Sequence, residues 1–245
     1  MDEAQPGLSA HPHQWPKALF IVALLFSIFQ IITAAYHPVS TQVLRAGHVG
    51  FLLMLIFLSV PVRGHGQPWP PLAWLLALTG MGTGLYQWAF EADLIQRSGE
   101  LTEADRIVGS ILIALVFEAA RRVMGSALPI ICGLFLAYGL FGQYLPGDLA
   151  HRGYGLDQIV NQLSFGTEGL YGTPTYVSAT YIFLFILFGS FLEQAGMIKL
   201  FTDFALGLFG HRLGGPAKVS VFSSALMGTI TGSGVANVVT TGQFT

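Results

Sequence analysis

Residues 228–242 read GTITGSGVANVVTTG. These fifteen positions hold four Gly, four Thr, one Ser and one Asn, with no charge. They lie inside a run of 27 uncharged residues, 219–245, that follows Lys218. A run of that length can cross a bilayer, because about 20 apolar residues span a ~30 Å hydrocarbon layer. Yet glycine costs about 1 kcal/mol relative to alanine in a helix interior, and Gly232 and Gly234 flank Ser233. The pattern predicts a helix that breaks near Ser233. Broken backbone at membrane depth survives only where it is buried in protein or lines an aqueous cavity. Its freed carbonyls, with the Ser, Thr and Asn oxygens, are hard ligands suited to a small cation such as Na⁺. The free amide ends of the half-helices favour an anionic group, and interrupted segments of this kind mark the sites of secondary transporters.

Two other readings fit the same letters. Gly228-x-x-x-Gly232 is also a small-xxx-small pattern that packs helices without any ligand, so a membrane scaffold with no transport activity is the alternative. Asn237 favours the ion hairpin, since an amide at this depth needs a partner. Thr231-Gly232-Ser233-Gly234 resembles the G-x-S-G of intramembrane serine proteases. Thr stands at its first Gly, however, and no histidine occurs among the 12 residues after Ser233. A serine nucleophile needs an adjacent base, and the chain reads as no enzyme, with no cofactor beyond a coupling Na⁺.

The rest of the chain agrees with a membrane setting. Of 245 residues, 53% are hydrophobic and only 10% charged, against about 25% charged in ordinary soluble domains. Nucleic-acid binding needs a basic stripe that is missing, and the single cysteine, Cys132, excludes a disulfide framework. Runs between charges predict spans at 18–36, at 46–62, after the prolines at 68, 70 and 71, around 107–117 with Arg106 and Arg121 reaching the two interfaces, within 123–147 and within 169–192. The first run exceeds a signal-peptide core and follows Asp2 and Glu3, so it reads as a retained span. Seven Lys and Arg against four then place the N-terminus in the cytoplasm. The fold class is an all-α polytopic bundle carrying a re-entrant, broken helical hairpin.

Smaller features complete the reading. Thr79–Gly84 (TGMGTG) predicts close helix packing. Glu118 precedes Arg121 and Arg122 by three and four residues and predicts an interfacial salt bridge. The link 146–175 predicts a short surface helix, and 197–210 a helix lying in the inner interface. The seven histidines fall in or beside the links and give metal ligation little support. Residues 1–122 form one block of four spans, and 123–245 a second with longer polar links.

At this point the residues resemble a known family. GTITGSGVANVVTTGQFT (228–245), preceded by GGPAKVSVFSSAL (214–226), is similar to the first substrate-site hairpin of the large membrane subunit of tripartite ATP-independent periplasmic (TRAP) transporters. Its likeness is to the fused permeases that work with TAXI-type solute-binding proteins. RRVMGSALPII (121–131), YLPGDLAHRGYGLDQIVNQLSFGTEGLYGTP (144–174) and FLFILFGSFLEQAG (183–196) resemble the same subunit. Residues 1–122 look like the small subunit fused in front. The resemblance implies an elevator-type permease in the bacterial inner membrane, fed with an organic anion by a periplasmic binding protein and driven by Na⁺. It implies Na⁺ ligation at Gly232, Ser233, Gly234 and Asn237, with Thr231, Thr240 and Thr241 on the substrate side of the pocket. It also implies a second, inverted repeat after Thr245, so these residues are expected to be the N-terminal part of a permease and not to transport alone.

Overall fold

The computed structural model describes residues 17–60, 70–97, 99–230, 234 and 237. Every regular element among them is helical. Among the described residues, four segments are long and apolar enough to cross a membrane: Lys17–Tyr36, Thr41–Ser59, Ala127–Tyr144 and Thr173–Gln194. The chain forms two compact units, residues 1–172 and 173–245. Their boundary follows packing. It is a different division from the functional one expected at 122.

In the first unit, α1 (Lys17–Tyr36) and α2 (Thr41–Ser59) are joined by a short turn. Ser40 caps α2, accepting from the Val43 amide at 3.2 Å. The helix therefore starts ahead of the expected 46–62 run, because a capped turn carries it back past Arg45. Arg45 and His48 thus lie inside α2, which corrects the placement of His48 beside a link. His48 is 2% exposed and meets the equally buried Gln30 of α1 through a hydrogen bond between Gln30 Nε2 and His48 Nδ1.

α3 (Pro70–Ala89) begins at a proline, as the missing amide donor allows. Its glycine run packs against α2 as expected. A Cβ on Gly84 would lie 2.7 Å from the Ala46 carbonyl oxygen, and one on Gly80 would lie 2.8 Å from Leu53 Cβ. Only glycine lets the backbones approach this closely. After a short helix α4 (Glu91–Gln96), α5 (Glu103–Met124) opens with a capping box. Thr102 Oγ1 accepts from the Asp105 amide at 3.2 Å, and Asp105 Oδ2 accepts from the Thr102 amide at 2.9 Å. At its far end Glu118 accepts from Arg121 and from Arg122, each at 2.8 Å, as the spacing predicted. Arg122 also lies 4.9 Å over the Phe57 ring. The core between these helices holds Ala46, Leu53, Phe57, Ala77, Leu112, Leu115, Ala119 and Tyr171.

α6 (Ala127–Phe141) is followed by two single 3₁₀ turns and by α7 (Leu156–Ser164). α7 is more than the surface helix expected. Val160 and Ser164 are buried, and Gly109 of α5 is bare enough to receive them, since a Cβ there would lie 2.6 Å from Val160. The turn after α7 is held by its backbone carbonyls. Gln87 Nε2 donates to the Ser164 carbonyl at 2.8 Å, Gln42 Nε2 to Phe165 at 3.2 Å and Arg45 Nη1 to Tyr171 at 2.6 Å.

In the second unit, α8 (Thr173–Val177) and α9 (Phe183–Gln194) are parts of one 22-residue apolar stretch interrupted by a π turn at Ser178–Ile182. There the Phe183 amide donates to the Ser178 carbonyl, five residues back. α10 (Met197–Phe209) has 13 residues, short of the ~20 a span requires. Gly214, at φ +71°, makes the tight turn into α11 (Gly215–Met227). Phe222 of α11 sits edge-on against Phe209 of α10 with ring centres 5.1 Å apart.

Candidate functional site

The candidate site begins where α11 stops. Gly228 removes helix propensity and is followed by β-branched Thr229 and Ile230, whose χ1 freedom a helix restricts. The last turn tightens accordingly. The Thr229 amide donates to the Leu226 carbonyl at 3.1 Å and the Ile230 amide to Met227 at 3.1 Å, both three residues back. Thr229 Oγ1 takes the Leu226 carbonyl as well, at 2.6 Å.

Asn237 then returns to the helix it has left. Its Nδ2 donates to the Ser224 carbonyl at 3.1 Å, and Ser224 Oγ donates to its Oδ1 at 3.3 Å. Thirteen residues of continuous α-helix would put these positions about 20 Å apart along the axis. The contact therefore requires the chain to double back between Ser224 and Asn237, which is the geometry of an interrupted helix. Gly234 and Asn237 are themselves helical. A Cβ on Gly234 would meet nothing within 4 Å, so this glycine is not there for close packing among the described residues.

The structure thus brings Asn237 to the end of α11 and leaves Gly234 in open surroundings. Thr231, Gly232, Ser233, Thr240 and Thr241, the other positions expected at the site, lie outside the described residues. Sequence reasoning overlooked Ser224 and its neighbour Ser223. Ser223 is 0% exposed, and its hydroxyl has no hydrogen-bond partner among the described residues. The signal was available: two adjacent hydroxyls in an uncharged helix running into a glycine motif. Chemically, the arrangement offers hydroxyl, amide and backbone oxygens, suited to a hard cation, and no described nucleophile–base pair.

A family model described as tripartite ATP-independent periplasmic transporter, DctM component, matches residues 111–245, more than half of the chain. No curated protein and no solved structure matches. The match begins within α5 and runs through α11 and the glycine motif. With its apolar helices and its interrupted helix, the chain belongs to the DctM component family of the tripartite ATP-independent periplasmic transporters.

Proposed function

We propose that this chain is part of the membrane permease of a Na⁺-coupled secondary transporter that imports organic acids handed over by a periplasmic solute-binding protein. The observation that carries the reading is the reversal between Ser224 and Asn237, which lies in the matched segment and places oxygen donors beside a helix end. Cations are favoured by backbone carbonyls at a helix C-terminus, and the fold-back supplies an amide oxygen to the same place. Gly232, Ser233, Gly234 and Asn237 hold the Na⁺ in this reading. Thr231, Thr240 and Thr241 face the anionic substrate.

Residues 1–122 serve as a fused, small-subunit-like scaffold of the TAXI-type permeases, and 123–245 begin the moving transport domain. The protein resides in the bacterial inner membrane with its N-terminus in the cytoplasm. The test is reconstitution of the full permease in proteoliposomes with its binding protein and a panel of labelled dicarboxylates, keto acids and amino acids. Uptake is expected only with an inward Na⁺ gradient and the binding protein present. Uptake indifferent to Na⁺ would overturn the coupling, and uptake indifferent to the binding protein would overturn the tripartite mode.

A further inference from the structure

His151 lies in the link between α6 and α7 and has no part in the reading above. Both of its ring nitrogens face backbone carbonyls. Nε2 is 3.0 Å from the Tyr138 carbonyl oxygen, and Nδ1 is 2.8 Å from the Arg152 carbonyl oxygen. A carbonyl oxygen only accepts, and a neutral imidazole carries one N–H, so only the imidazolium donates to both. In the neutral ring one nitrogen would turn its lone pair on a carbonyl oxygen. The place also suits a cation, because Tyr138 is in the last turn of α6, where the backbone carbonyls form the negative end of the helix dipole. The slot is shaped for the ring. Tyr138 stands edge-on to it with centres 4.5 Å apart, and Tyr154 lies 5.8 Å away. Gly142 leaves the room, since a Cβ there would overlap the imidazole.

We propose that His151 is a proton-operated latch on the link 142–155: protonated, it ties the link to the end of α6, and on losing its proton it releases one of the two carbonyls. The link crosses α6 at the same place through three amides. Those of Leu145 and His151 donate to the Gly142 carbonyl at 3.2 and 3.3 Å, and that of Tyr154 donates to the Gly139 carbonyl at 3.1 Å. These amides report whether the link stays down. The neighbouring titratable groups leave the control to His151. α6 carries no charged side chain, and the one charge on α7, Asp157, is held by Arg106. The Tyr138 hydroxyl donates to the Leu149 carbonyl at 3.0 Å, and Tyr154 meets the imidazole only as a ring. Tyr144, Asp148 and Arg152, the other titratable groups of the link, have no side-chain bond to the imidazole among the described residues.

Hydrogen exchange of the purified chain tests this, read on peptides within 142–155 at about pH 5 and about pH 8. The two values bracket the range in which imidazoles change charge, and rates are corrected for the intrinsic effect of pH on exchange. Wild type is expected to protect the link better at the acid pH by about two- to tenfold, the effect of one hydrogen bond. His151→Gln removes the titrating group, and Gly142→Ala keeps that group but fills its slot. Both variants are expected to show equal protection at the two pH values. Equal protection in wild type would overturn the latch. A pH response that survives in His151→Gln would assign it to another group, and one that survives in Gly142→Ala would show that the seat beside Tyr138 does not hold the link. Either result overturns the proposal as well.

Discussion

Arg45 and Tyr171 are 126 positions apart in sequence, and the guanidinium of the first donates to the carbonyl of the second at 2.6 Å. Tyr171 is 0% exposed, so that carbonyl has no water to fall back on. Arg45→Ala is expected to destabilise the chain by about 1.5–3 kcal/mol, the usual cost of losing a charged donor to a buried acceptor. Thermal unfolding in detergent checks the stability, and limited proteolysis within 165–172 should become faster. An unchanged melting temperature would remove this contact from the account of the fold.

The glycines of α3 separate packing from mere flexibility. Gly84→Ala drives a methyl to 2.7 Å from the Ala46 carbonyl oxygen, and an overpacked contact of that kind costs about 1–3 kcal/mol. Gly82→Ala meets nothing within 4 Å and should stabilise by up to about 1 kcal/mol through helix propensity. Opposite shifts in melting temperature are the expected result. Two shifts of the same sign would contradict the α2–α3 packing.

Glu118 joins two arginines of unequal burial, with side chains 40% exposed for Arg121 and 3% exposed for Arg122. Glu118→Gln leaves the Arg122 charge buried with little compensation and should cost about 2 kcal/mol, below the range for a fully buried pair because Glu118 is 27% exposed. Arg121→Gln should leave the melting temperature near wild type, as exposed ion pairs contribute little. Equal losses from the two variants would show that burial does not govern this cluster.

At the glycine motif, Asn237→Ala and Ser233→Ala in the full permease are expected to abolish Na⁺ dependence of uptake while expression and monodispersity stay normal. Poor assembly with intact coupling in the surviving protein would favour the helix-packing alternative. Uptake assays across a Na⁺ series, alongside size-exclusion profiles, distinguish the two.

Much of this architecture was legible in the sequence because lipid imposes a simple length rule. Charge-free runs located α1, α6 and the Thr173–Gln194 stretch, and TGMGTG announced the α2–α3 contact. The spacing of Glu118 from its arginines announced their salt bridge. Where the reading failed, a tertiary partner had overridden the local rule. Arg45 looked like a boundary, yet its charge is accommodated inside α2 by the Tyr171 carbonyl. His48 was read as lying beside a link, yet Gln30 gives it a place between two helices. At the candidate site, the glycine motif marked where α11 stops. The pairing of Asn237 with Ser224 depends on the chain folding back, and no local spacing encodes a contact between residues 13 apart.

The π turn at Ser178–Ile182 takes up more chain than a plain α turn would. Each residue of a plain α-helix advances the side-chain heading by about 100°, and the wider turn absorbs one such step. Deleting one residue there would let ordinary bonding close over the gap while the downstream heading stays nearly as it is. Phe185, Phe188 and Phe191, now 44%, 57% and 66% exposed, would keep their side of the cylinder. Loss of a single codon in this stretch therefore acts as a trim, whereas the same loss one turn later would act as a twist.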